Sequence, residues 1–113
     1  MEHNLADKNC VSCAGGVLPL AQAEAEKLLA ELDPSWQIIS GEKIRREFLF
    51  KNFVRAMAFV DRVADVAEHE GHHPDIHIFY NRVVLEITTH AIGGLSENDF
   101  IVAAKIEPMI TLG

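Results

Sequence analysis

Positive charge is scarce in this sequence. Ten Lys and Arg stand against seventeen Asp and Glu, a formal net charge of −7. The electrostatic footprint of a generic nucleic-acid or anionic-membrane binder is therefore missing, and neither is expected as a partner. No apolar run approaches the ~18–20 residues of a membrane span. The opening residues, Met-Glu-His-Asn-Leu-Ala-Asp-Lys, do not join a basic region to an apolar stretch. No secretory signal is expected, and the cytoplasm is the expected compartment. Cysteine is scarce too: only Cys10 and Cys13 occur, spaced C-x-x-C. That supplies half of the four ligands a structural zinc takes. The pair lies in Cys-Val-Ser-Cys-Ala-Gly-Gly, a coil-like stretch, not in the βαβ setting of a thioredoxin motif. Reduced bystander thiols are the plainest reading. A thiol switch, or a metal site shared between subunits that pool their pairs, are the alternatives.

What is present is an ordinary globular composition, 49% hydrophobic and 24% charged in 113 residues. That length suits one domain with a real core. Residues 1–17 read as an irregular extension and 18–113 as the domain. Ala21, Ala25, Leu28, Leu29 and Leu32 recur at helical spacing, which predicts a helix over 20–32 closed by Asp33-Pro34. Trp36–Ile39 and Lys43–Phe50 read as a hairpin, with Ile44, Phe48 and Phe50 on one face and Arg45 and Glu47 on the other. Asn52 is a candidate N-cap for a long helix ended by Gly71, its apolar stripe read as Phe53, Met57, Val60, Val63, Ala64 and Ala67. Asp75–Tyr80 and Val83–Thr89 read as a second hairpin turning at Asn81-Arg82. Ser96-Glu97-Asn98-Asp99 fits a capping box for a last helix that reaches about Glu107 before Pro108. The order α-β-β-α-β-β-α predicts an α+β fold: a four-stranded antiparallel sheet with helices packed on one face. The unpaired sheet edges invite oligomerisation.

Chemistry concentrates in histidine. Five of the six fall between positions 69 and 90: His69, His72, His73, His77 and His90. Imidazole, with an unperturbed pKa of about 6.5, both gives and takes protons near neutrality. His72 and His73 stand at a helix-to-strand junction, and Pro74 biases His73 toward extended backbone. His90 lies past the fourth strand, sharing by parity the face of Glu86 and Thr88. Hairpin pairing would bring His72, His73 and His90 to one edge of the sheet, with Asp99 close behind. Each residue alone has a plainer explanation, since loop histidines are often solvated and Asp99 is accounted for by capping. The case for a site rests on their convergence. His69 and His77 read as structural or solvated. A zinc or iron site is the weaker reading: no H-x-H or H-E-x-x-H pattern occurs, and adjacent histidines on extended backbone point apart.

Glu-Gly-His-His-Pro-Asp-Ile, then Tyr-Asn-Arg-Val, Thr-Thr-His-Ala and Gly-Leu-Ser-Glu-Asn-Asp resemble the pterin-4a-carbinolamine dehydratase family, over roughly residues 17–107. The resemblance implies the architecture above in a homodimer or homotetramer. It implies dehydration of a 4a-hydroxytetrahydropterin to quinonoid dihydropterin plus water, which recycles the pterin of aromatic amino-acid hydroxylases. The pterin is then substrate; no cofactor and no metal are implied. By position His72 and His90 match the family's acid/base histidines, His73 its substrate-orienting histidine and Asp99 its site aspartate. Gly71, Thr88, Thr89 and Ala91 match substrate-contacting positions, alongside the histidines. The chain departs from the family at Ile76, where many members carry tryptophan, and in the extension that holds Cys10 and Cys13. The family also implies an alternative role, as a non-enzymatic dimerisation or assembly factor. An intact His72, His73, His90 and Asp99 set favours the enzyme.

Overall fold

A computed structural model describes residues 5–11 and 18–112. A 3-10 turn at Leu5–Asp7 comes first, followed by α1 (Gln22–Leu29), β1 (Gln37–Ile39), β2 (Lys43–Leu49) and α2 (Phe53–Glu70). The second half repeats the pattern with β3 (Asp75–Phe79), β4 (Arg82–Ile87), a 3-10 turn at His90–Ile92, α3 (Glu97–Ile106) and a closing 3-10 turn at Glu107–Leu112. The strands form one antiparallel sheet in the order β1-β2-β4-β3. This is the α+β architecture expected from the sequence, and no helix among the described residues is long and apolar enough to cross a membrane.

Side-chain alternation decides which sheet face is buried. Ile44 and Phe48 of β2 and Val83, Leu85 and Ile87 of β4 lie against the helices, all at 4% exposure or less. Phe59 of α2 stacks between Phe48 and Phe50, at centroid distances of 4.7 and 4.9 Å. It sets the rotation of that helix. The buried stripe is Ala56, Phe59, Val63 and Ala67. The stripe expected from sequence shares only Val63 and Ala67 with it; Phe53 and Val54 are exposed. Arg46 closes one end of the core with its guanidinium 4.5 Å above the Phe48 ring and 2.7 Å from Glu107.

Other boundaries moved for local reasons. α1 stops at Leu29 because its last turn tightens: the Glu31 and Leu32 N–H groups reach back only three residues, to Leu28 and Leu29. The second hairpin turns at Tyr80-Asn81, one residue early, with Tyr80 at φ +55°. Asn81 is drawn away into a tertiary contact, donating from its amide to Phe50 O at 2.8 Å and accepting from Phe50 N at 2.9 Å. α3 ends at Ile106 with Glu107 as its C-cap, just before Pro108 as expected, and the chain continues as the closing 3-10 stretch with Pro108 in its first turn, where no N–H is needed. The extension is not wholly irregular either, since Leu5 is 4% exposed within the core and its turn packs on α3.

Candidate active site

The site lies where three chain reversals meet. α2 ends at Gly71, whose φ of +64° is the left-handed conformation glycine adopts without strain. Ala67 O accepts from the His72 N–H at 3.1 Å. The chain then leaves the helix axis and carries His72 and His73 outward before β3 begins.

Opposite, β4 ends at Ile87, earlier than expected. Thr89 pairs with Gly94, N–H to O at 3.0 Å, and closes a loop over the 3-10 turn His90–Ile92. His90 therefore projects from a tight turn, and the strand parity expected for it does not apply.

The third reversal is the start of α3. The Asp99 carboxylate accepts the Ser96 N–H at 2.9 Å, the expected back-bond of a capping box. The other half is replaced. The Ser96 hydroxyl bonds the Thr89 hydroxyl at 2.8 Å, and no side-chain cap is made to the helix.

Asp99 is completely buried, and all its interactions are directed. Oδ2 takes the Ser96 N–H and the Thr89 hydroxyl, each at 2.9 Å. Oδ1 lies 2.6 Å from His72 Nε2, 27 residues away in sequence. A carboxylate can only accept, so the neutral His72 ring carries its proton on Nε2 and its lone pair on Nδ1. Among the described residues Nδ1 has no protein partner. His73 is more exposed and pairs through Nε2 with Glu68, itself on the surface.

His72 and His73 border one cavity of about 490 Å³, within the usual size of a small-molecule site. Gly71, His72, His73, Thr88, His90 and Ala91 lie on its wall, together with Thr89. Asp99 stands behind His72 and is not part of the wall. Thr89 is 4% exposed, and its hydroxyl is committed to Asp99 and Ser96, which makes it a support for the carboxylate. The Thr88 hydroxyl donates to Glu42 O at 2.6 Å. Ile76 is half-buried against the core cluster and does not border the cavity. His69 is 80% exposed in its side chain, and His77 stands 3.6 Å from Glu86 on the helix-free face.

Four wall residues were not expected at this cavity: Cys10, Val11, Glu70 and Asn98. Glu70 accepts the Cys10 N–H at 2.8 Å and lies 3.4 Å from Lys105. Burial opposes its ionisation, but the Cys10 N–H and Lys105 together outweigh that and hold the carboxyl below its ordinary range. Burial, and after it the Glu70 charge, pushes the Cys10 thiol up to about 12, so it stays protonated. Cys13 lies outside the described residues. Among the described residues no group of three or more His, Cys, Asp or Glu side chains is placed to hold a metal ion.

Comparison with known proteins covers nearly the whole chain. The family model described as pterin 4 alpha carbinolamine dehydratase matches residues 18–109. A Nitrosomonas eutropha protein named "Putative pterin-4-alpha-carbinolamine dehydratase" is 52% identical over 107 residues, 95% of this chain and 94% of the relative. A Rickettsia canadensis protein of the same name is 47% identical over 94% of this chain and 97% of its own. The crystal structure of a transcriptional coactivator/pterin dehydratase from Brucella melitensis superposes with a TM-score of 0.77 at 36% identity, covering 81% of this chain and 98% of the other. A pterin dehydratase-like RuBisCO assembly factor of the alpha-carboxysome shares the fold, with a TM-score of 0.58 at 22% identity over 67% of this chain and 89% of the other. The chain belongs to the pterin 4 alpha carbinolamine dehydratase family.

Proposed function

We propose that this protein dehydrates a 4a-hydroxytetrahydropterin to the quinonoid dihydropterin and water, using histidines as proton donor and acceptor. The observation that carries the reading is the His72–Asp99 pair, fixed at 2.6 Å with His72 on the wall of a cavity that His73 and His90 also border. The elimination takes the proton from N5, forms the C4a=N5 double bond and releases the C4a hydroxyl, which leaves as water once protonated. Asp99 holds the Nε2–H of His72, so Nδ1 is the basic atom that accepts the N5 proton. His90, on the neighbouring turn, protonates the departing hydroxyl. His73 orients the ring, steadied by Glu68. The step is redox-neutral, and the proposal includes no cofactor and no metal.

The wider setting belongs to the same proposal. Among the described residues the outer edges of β1 and β3 are unpaired within the sheet, and a homodimer or homotetramer is the proposed assembly. An aromatic amino-acid hydroxylase in the cytoplasm is the proposed source of the substrate.

The test follows the ultraviolet decay of freshly generated carbinolamine with chelator present. Wild type should accelerate it over buffer. His72→Ala or His90→Ala should each lower kcat on the order of 10²-fold, the usual share of one proton-transfer group. A folded wild type that leaves the rate at the buffer value overturns the proposal.

A further inference from the structure

The segment Lys8–Val11 is fastened at both sides of the His72–Asp99 pair. Its Cys10 N–H bonds Glu70, two residues before His72. Its next residue is gripped by Asn98, one residue before Asp99: Asn98 Oδ1 accepts the Val11 N–H at 3.0 Å and Asn98 Nδ2 donates to Val11 O at 2.5 Å. A side-chain amide that pairs both polar groups of one residue reproduces what a neighbouring strand does and fixes that residue's position. The Cys10 thiol adds a contact to Asn98 O at 3.6 Å, and Lys8 pairs with Glu97 at 3.0 Å. Yet the side chain so carefully placed, Val11, is 71% exposed while bordering the cavity. Among the described residues on that wall it is the one large apolar side chain; histidine, threonine, glutamate and asparagine supply most of the rest. A planar heterocycle bound there has polar edges to satisfy and two apolar faces, and sites for such ligands provide apolar contact for the faces.

We propose that Val11 is a substrate-binding residue, a fixed apolar contact for one face of the bound ring, held in place by Asn98 and Glu70. The inference rests on the pterin reading of the cavity. Val11 then acts in binding and not in proton transfer, so its loss should appear in KM. The raised pKa of the Cys10 thiol agrees with a docked segment, since an undocked one would leave that thiol in water.

Val11→Ser alters an exposed side chain and should fold normally. Losing part of a valine contact should raise KM for the carbinolamine about five-fold, with kcat within about two-fold of wild type, and Val11→Ile should restore KM. Asn98→Ala frees the segment. In a Cys13→Ser background, iodoacetamide labelling of Cys10 should then speed up by at least about ten-fold, since both hydrogen bonds from the Asn98 side chain to Val11 are lost. A saturating dihydropterin should slow the labelling of the Cys13→Ser protein that retains Asn98. An active wild type whose KM is unchanged by Val11→Ser overturns the inference, as does Cys10 labelling indifferent to both Asn98→Ala and the dihydropterin. A wild type with no dehydratase activity overturns the functional reading and this inference with it.

Discussion

Replacing Asp99 by asparagine exchanges a pure acceptor for a group that accepts on one side and donates on the other, at nearly constant volume. The asparagine oxygen is best placed on the Oδ2 side, where two donors already converge, the Ser96 N–H and the Thr89 hydroxyl at 2.9 Å. That leaves the amide nitrogen facing His72 Nε2 across the former 2.6 Å contact. Two donors cannot share that space, so His72 must move its proton to Nδ1, which removes the lone pair the proposed mechanism uses. A wrong tautomer at a catalytic imidazole costs far more than a weakened bond, and kcat should fall on the order of 10²–10³-fold. Stability should fall by about 1–3 kcal/mol, the cost of disturbing one buried polar contact. At about 4 °C per kcal/mol, the Tm should drop by about 4–12 °C. Thr89→Val removes one bond to the same carboxylate without touching His72 and should cost stability with little loss of kcat. The assay pairs carbinolamine decay with thermal unfolding and with nitrogen NMR of the His72 ring. A variant with wild-type kcat, or one whose His72 keeps its proton on Nε2, would refute the reasoning.

Further outcomes follow from the packing. Phe59→Ala empties a fully buried site between Phe48 and Phe50 and should cost about 3–5 kcal/mol in chemical denaturation. Gly71→Ala meets no clash, since nothing lies within 4 Å of the added Cβ, but it strains a φ of +64°. It should cost about 1–2 kcal/mol by the same measurement. Glu70 ionises more readily in the folded chain than at its ordinary value of 4.5. The stability it contributes is therefore present above pH 4.5 and lost as pH falls below it. Denaturation midpoints between pH 6 and 3 should fall more steeply for wild type than for Glu70→Gln.

Much of the fold was legible because its signals are local. Asn52 caps α2 by accepting the Arg55 N–H at 2.9 Å, and Gly71 ends it in the left-handed conformation. The strand alternation of Ile44, Phe48, Leu85 and Ile87 identified the buried sheet face. The helix stripe was harder. Phe53 and Met57 are apolar at the right spacing, but the aromatic stack on Phe59 chooses the face, and that stack is a tertiary contact. Tyr80, not asparagine, takes the positive φ at the second hairpin, because Asn81 is engaged by Phe50. In the site, the histidines stood out by type and clustering. The wall formed by Cys10 and Val11 did not, because its bonds to Glu70 and Asn98 span 60 to 88 residues and leave no periodicity behind. A carboxylate and an amide directly beside the His72 and Asp99 motifs were the only hint available.

The account stands most directly on one rate. The His72→Ala/His90→Ala double variant, shown to be folded by its unfolding transition, should dehydrate the carbinolamine no faster than buffer while wild type clearly exceeds it. A double variant that retains a rate within ten-fold of wild type would place the chemistry outside this cavity.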